Sequence, residues 1–203
     1  MREGCMSVPD YFGGKILRSE NMSELLTKEE QKELLQIARD TIVDYVTNRN
    51  TPTVVAISPG LNLHSGSFVT IKKQGELRGC IGNFVSDQPL YKLVQEMAIS
   101  AATRDPRFHP MKKDDLADFT IDISVLSPLA KAASIEEIQV GVHGIYIIKG
   151  SYRGVLLPQV ATEYGWNRDQ FLQHTCTKAG LPEDAWRGEC DIYIFSAQVF
   201  GEQ

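Results

Sequence analysis

This sequence predicts an α+β fold, and three observations carry the expectation. Helix-period stripes and hairpin-like strand pairs follow one another irregularly, without the regular βαβ alternation that builds a doubly wound sheet. The run Phe119 to Val125 alternates apolar and polar residues, the pattern of a half-buried strand. The chain has 203 residues, enough for one large domain, or two small lobes sharing a core, to bury an apolar interior without disulfide staples.

Residues 1–24 carry Gly4, Pro9 and Gly13-Gly14 and show no usable period, so they read as a loosely ordered lead-in. Thr27-Lys28-Glu29-Glu30 has the form of a capping box, in which threonine and glutamate satisfy each other's free N–H groups. Leu34, Leu35, Ile37, Ala38, Ile42, Val43 and Val46 follow at helical spacing, predicting a helix over 28–48. Pro52 and Pro59-Gly60 mark a loop that contains His64. Ser67 to Lys72, a tight turn at Gln74-Gly75, and Glu76 to Phe84 then predict a hairpin.

Pro89 opens a second helix with the apolar face Tyr91, Leu93, Val94, Met97, Ala98 and Ala101. Asp105-Pro106 ends it, because the residue before proline is pushed out of the α region. Arg107 to Pro110 is then irregular, and 119–125 is a strand. Ser134 to Glu137 opens a short helix. Gly144–Lys149 and Gly154–Leu157 read as strands separated by a turn at Gly150, and Pro158 starts a short helix or loop. Asn167 caps a helix that runs to Lys178 and stops at Gly180, and Cys190 to Phe200 reads as one last strand.

Composition is ordinary for a globular protein, at 42% apolar and 23% charged residues. The net charge of -5 argues against a nucleic-acid partner, though Arg104 and Arg107 leave room for a local basic patch. No signal-like run or stretch long enough to span a membrane is present, so a cytoplasmic location is expected. The cysteines Cys5, Cys80, Cys176 and Cys190 are scattered without a C-x-x-C pair. They read as free thiols, with Cys176 and Cys190 as buried helix and strand residues. No metal-site spacing occurs, and no cofactor is expected on the chain itself.

The chemistry concentrates in Gly75-Glu76-Leu77-Arg78-Gly79-Cys80-Ile81-Gly82. Glycines beside a cysteine admit close backbone approach, and strand glycines often mark bulges. Arg78 and free backbone N–H groups offer to stabilise a thiolate, making Cys80 a candidate nucleophile, acceptor or redox-responsive thiol. The competing reading is a small residue packed in a tight sheet. Arg78 and Arg107 are candidate anion holders because the guanidinium fork matches phosphate and carboxylate, with an ion pair to Asp105 as the rival. His64 and His109 are candidate bases for Cys80. His143 and His174 rank below them, and Gln159, after Leu156-Leu157-Pro158, is a candidate ligand contact. Tyr164, Trp166 and Trp186 line a pocket or an interface, or fill the core.

Leu77-Arg78-Gly79-Cys80-Ile81-Gly82 resembles the signature of the AMMECR domain family. Arg104-Asp105-Pro106-Arg107-Phe108, Leu156 to Ala161, and Cys176 to Pro182 with Trp186 behind them are similar to it as well, the last two nearer the prokaryotic branch. The resemblance spans residues 25–200. It implies a single domain of a larger and a smaller lobe, with mixed or antiparallel sheets, flanking helices and a cleft between the lobes near the signature. There Gly79 and Gly82 would border a bound ligand. Prokaryotic members are called protein A of the AmmeMemoRadiSam system, which implies a radical S-adenosylmethionine enzyme and a Memo-type protein as partners. On this reading the chain binds a ligand or substrate and assists its modification, with Cys80 as the reactive group. Two alternatives stand beside it: a free-standing cysteine-dependent hydrolase or transferase, and a non-catalytic interaction module. Homodimerisation is left open.

Overall fold

The computed structural model describes residues 25–55 and 58–202, so the lead-in and Cys5 lie outside it. Four helices, α1 (Lys28–Asn48), α2 (Leu90–Thr103), α3 (Pro158–Glu163) and α4 (Arg168–Lys178), are joined by eight strands. The strands are β1 (Ser67–Lys73), β2 (Glu76–Asn83), β3 (Phe119–Leu126), β4 (Ala130–Lys131), β5 (Gly144–Lys149), β6 (Tyr152–Leu156), β7 (Asp191–Phe195) and β8 (Ala197–Gly201). They form two four-stranded sheets, ordered β2-β1-β3-β8 and β4-β7-β5-β6. All pairings are antiparallel.

The larger lobe packs α1 and α2 on one face of the first sheet. The α1 capping box forms as expected: Thr27 Oγ1 accepts from Glu30 N–H, and the Glu30 carboxylate accepts from Thr27 N–H. The same carboxylate takes Gly60 N–H at 2.7 Å, which pins the loop before β1. The Thr27 and Gly60 backbone bonds hold that carboxyl below its usual value. Val69, Ile71, Ile121, Ile123 and Val125 face the helices and are fully buried beside Leu34, Ala38, Ile42, Leu93 and Val94. Each such valine, leucine or isoleucine contributes about 1.5–3 kcal/mol on burial. Pro89 stands at the N-cap of α2, one place ahead of the expected first turn.

A second core sits in the smaller lobe, where Ile145, Ile147, Phe171, Leu172, Cys176 and Trp186 gather. Asn167 and Gln170 close a capping box on α4, and Gly180 takes the left-handed conformation that stops it. β6 starts at Tyr152 rather than Gly154, because Tyr152 already pairs with Lys149 across the turn.

One expectation needs correction. The single strand foreseen over 190–200 is two strands in different sheets, β7 in the smaller lobe and β8 in the larger. The break is at Ser196, whose N–H donates to Ser127 Oγ at 2.9 Å while its carbonyl accepts from Ser127 N–H at 2.9 Å. Ser127 lies where the chain leaves β3 for the smaller lobe, so both passages between lobes meet at this pair. The two-residue strand β4 and the short 3-10 turns at Lys113–Ala117 and Ala185–Arg187 had no signal in the periodicity.

Candidate functional site

The signature forms β2, the edge strand of the larger sheet. Gln74 and Gly75 both have positive φ, the geometry of a two-residue type I′ hairpin turn. Ile71 pairs with Gly79, but Lys72 pairs with Leu77, so Arg78 is the extra residue of a β-bulge. A regular strand would put Arg78 and Cys80 on one face; the bulge re-aims Arg78. Gly79 is required by contact, since a Cβ there would collide with the Ala101 carbonyl of α2. At Gly82 a Cβ would strike the Phe68 ring. Neither glycine contacts the other candidate residues through a side chain. They let α2 and Phe68 come close.

Arg78 is largely enclosed, with a side chain 17% exposed. Its Nη2 donates to the His109 carbonyl at 2.8 Å and to Asp115 Oδ2 at 3.5 Å. Its Nη1 is buried and has no hydrogen-bond partner among the described residues. Asp115 also takes Lys73 Nζ at 2.8 Å and Lys112 N–H at 2.9 Å, and these bonds, Lys73 foremost, hold its carboxyl below the usual value.

Cys80 is half-buried, not enclosed. Its Sγ accepts from Thr70 Oγ1 at 3.2 Å, across the Thr70–Cys80 pair. The Cys80 N–H points off the free edge of β2 and donates to Asp105 Oδ2 at 2.9 Å; its carbonyl accepts from Arg107 Nη2 at 3.5 Å. Asp105 is 4% exposed and also accepts from Arg107 N–H, Nε and Nη2 at 3.1, 3.0 and 2.7 Å. The Arg107 side chain, ahead of the Cys80 and Arg107 backbone bonds and against the cost of burial, drives the Asp105 carboxyl far below the usual carboxylate range. The ion pair foreseen as the rival role of Arg107 therefore exists. It occupies the strand edge at Cys80, which would otherwise be open for pairing.

Arg78, Pro106, Arg107, Phe108 and His109 line one hollow of about 340 Å³. The Arg78 and Arg107 guanidinium carbons stand 6.0 and 5.4 Å from the centre of the Phe108 ring. Every lining residue belongs to the larger lobe. The residues expected to border a cleft between lobes instead line a hollow on one of them, because the loop after α2 folds back along β2.

The other candidates lie apart. His64 is exposed in the segment before β1, and His109 is exposed at the rim of the hollow. Neither imidazole hydrogen-bonds to Cys80, whose sulfur takes the Thr70 hydroxyl. Gln159 is the second residue of α3 in the smaller lobe and is not among the lining residues. His143 Nδ1 accepts from Gln139 N–H, while His174 stacks on Trp166 at 3.8 Å and Trp166 on Tyr164 at 4.9 Å. Trp186 and Cys176 are buried in the smaller core. Cys190 is only half-buried and stands just before β7, because its strand starts at Asp191. Among the described residues no three His, Cys, Asp or Glu side chains group as metal ligands, and no helix is long and apolar enough to cross a membrane.

Thr70 and Asp115 were not among the residues foreseen at this site. Nothing local marks them, since Asp115 reaches Arg78 across 37 positions and Thr70 reaches Cys80 only through strand register.

The chain is similar to known proteins along most of its length. A family model described as AMMECR1 matches residues 35–200. A protein of Methanopyrus kandleri is 43% identical over 192 residues, covering 90% of this chain and 93% of its own length. One from Methanothermobacter thermautotrophicus is 41% identical over 186 residues, covering 87% and 96%. The crystal structure of an uncharacterized protein from Pyrococcus horikoshii superposes with a TM-score of 0.80 at 35% identity, over 89% of this chain and 95% of that one.

Proposed function

Since the chain belongs to the AMMECR1 family, whose matched members carry no assigned activity, we propose from its own geometry that it is a ligand-holding protein. Its hollow grips an anionic group between Arg78 and Arg107. The observation that carries this is Arg78 Nη1, a buried cationic donor with no partner among the described residues, on a side chain that lines an open hollow. Leaving such a donor unpaired costs about 1–3 kcal/mol or more for a charged group, and a turn of the side chain toward an anion bound in the hollow would remove that cost. The hollow contains no lining carboxylate to do so.

Cys80 serves this site through its backbone. Its N–H and carbonyl hold the Asp105–Arg107 pair that forms one wall, while its sulfur faces Thr70. A cysteine-dependent hydrolase or transferase is less well supported, as no histidine contacts the thiol. The family resemblance adds the partner side of the proposal: the held ligand is presented to a radical S-adenosylmethionine enzyme working with a Memo-type protein.

Titration of the protein with inorganic phosphate, followed by calorimetry or amide chemical shifts, tests the binding reading. Wild type should saturate, Arg78→Gln should bind at least about tenfold more weakly, and Cys80→Ala should keep its affinity. A wild-type protein with no saturable response would end this reading.

A further inference from the structure

We infer that the hollow selects a tetrahedral oxyanion of the phosphate type over a planar carboxylate, an inference that rests on the anion-holding reading above. The argument lies in which guanidinium hydrogens are already used. A carboxylate is held best by two parallel N–H groups on one edge of a guanidinium. Both two-point edges of that group include Nη2, one shared with Nε and one with Nη1. Nη2 carries two hydrogens.

In Arg107 those two hydrogens are directed to Asp105 Oδ2 at 2.7 Å and the Cys80 carbonyl at 3.5 Å, and Nε is taken by Asp105 Oδ1. In Arg78 they are directed to the His109 carbonyl at 2.8 Å and Asp115 Oδ2 at 3.5 Å. Neither arginine therefore has a fork to offer. Arg107 keeps only Nη1, on a half-exposed side chain, while Arg78 keeps the buried Nη1 and Nε, two donors that share no edge of the guanidinium.

The third polar residue of the lining is His109, which is exposed and whose backbone is tied to Arg78 through its carbonyl. Donors from three side chains that form no two-point fork, on the β2 bulge and on the loop after α2, suit an oxyanion whose oxygens point in different directions. Asp105 neutralises Arg107, and Arg78 and Lys73 share Asp115, so one net positive charge remains beside the hollow for an anion. The open mouth leaves room for an ester substituent, so the phosphoryl group of a phosphomonoester and free phosphate share this chemistry.

The test is parallel titration of the wild-type chain with inorganic phosphate, methyl phosphate and acetate, repeated with His109→Gln, whose exposed position keeps the fold intact. Phosphate and methyl phosphate should bind at least about tenfold more tightly than acetate, and His109→Gln should weaken both. The tighter of the two phosphates identifies the source, ester or free ion. Acetate binding as well as phosphate would overturn the inference and leave the anion-holding reading standing, as would phosphate affinity unchanged in His109→Gln. Failure of all three anions to bind would overturn that reading itself.

Discussion

Four N–H groups converge on the carboxylate of Asp105: one from Cys80 and three from Arg107. The carboxylate is almost wholly buried, so these bonds have little competition from water. Asp105→Asn keeps the shape but removes the charge and two of the acceptor lone-pair sites, leaving buried donors unmet. The variant should lose about 1–3 kcal/mol of stability at neutral pH, read from its denaturant midpoint. The pH dependence has a definite sign. The folded carboxyl lies far below its unfolded value of about 3.9, so its contribution is present above that pH and is lost as pH falls below it. Wild type should therefore lose stability more steeply than Asp105→Asn below about pH 3.9. Parallel acid limbs would show that the carboxylate is not the linked group.

On the scale of elements, β2 is built by exclusion. α2 lies against it so closely that only Gly79 fits beneath the Ala101 carbonyl, and this proximity brings the loop after α2 back to the strand edge. Gly79→Ala should cost about 3 kcal/mol or more, since the atom it meets is backbone and cannot swing away. Gly75→Ala is the control. That glycine has φ 83° with nothing within 4 Å of the added carbon, so it should cost only the backbone strain of about 1–2 kcal/mol. Urea midpoints of the two variants decide the matter, and equal losses would mean that α2 does not press on β2.

The whole molecule is two cores joined by two chain passages that meet at Ser127 and Ser196. Phe84, following β2, packs edge-on against both Phe68 of the larger lobe and Phe195 of the smaller, at 4.9 and 5.7 Å. Gly144 leaves room for the Phe195 ring at the same junction. The far end of the larger sheet is held separately: Arg39 pairs with Glu202, which also accepts from Ile121 N–H. Ser127→Ala would leave Ser196 N–H without its acceptor in a site where Ser127 is 7% exposed. A loss of about 1–3 kcal/mol is expected, seen as a lower denaturation midpoint. No change would show that the serine pair does not hold the junction.

Much of this was legible in the chain itself. Capping boxes at Thr27 and Asn167, the stripe of α1, the alternation of β3 and the Gln74-Gly75 turn are local rules, acting within four or so residues, and the structure follows them. The glycines around Cys80 and the arginines beside it also pointed to the strand that carries the bulge. Their roles were decided elsewhere. Register between β1 and β2 made Arg78 a bulge, the approach of α2 explained Gly79, Asp115 reached the Arg78 guanidinium from 37 positions away, and Asp105 reached the Cys80 N–H from 25. The division of the last strand between two sheets belongs to the same class. Sequence determines what a residue does to its own turn of backbone, because those forces act within a few bonds. Which donor meets which acceptor across the fold depends on how separate elements pack, and that exists only once the chain has closed on itself.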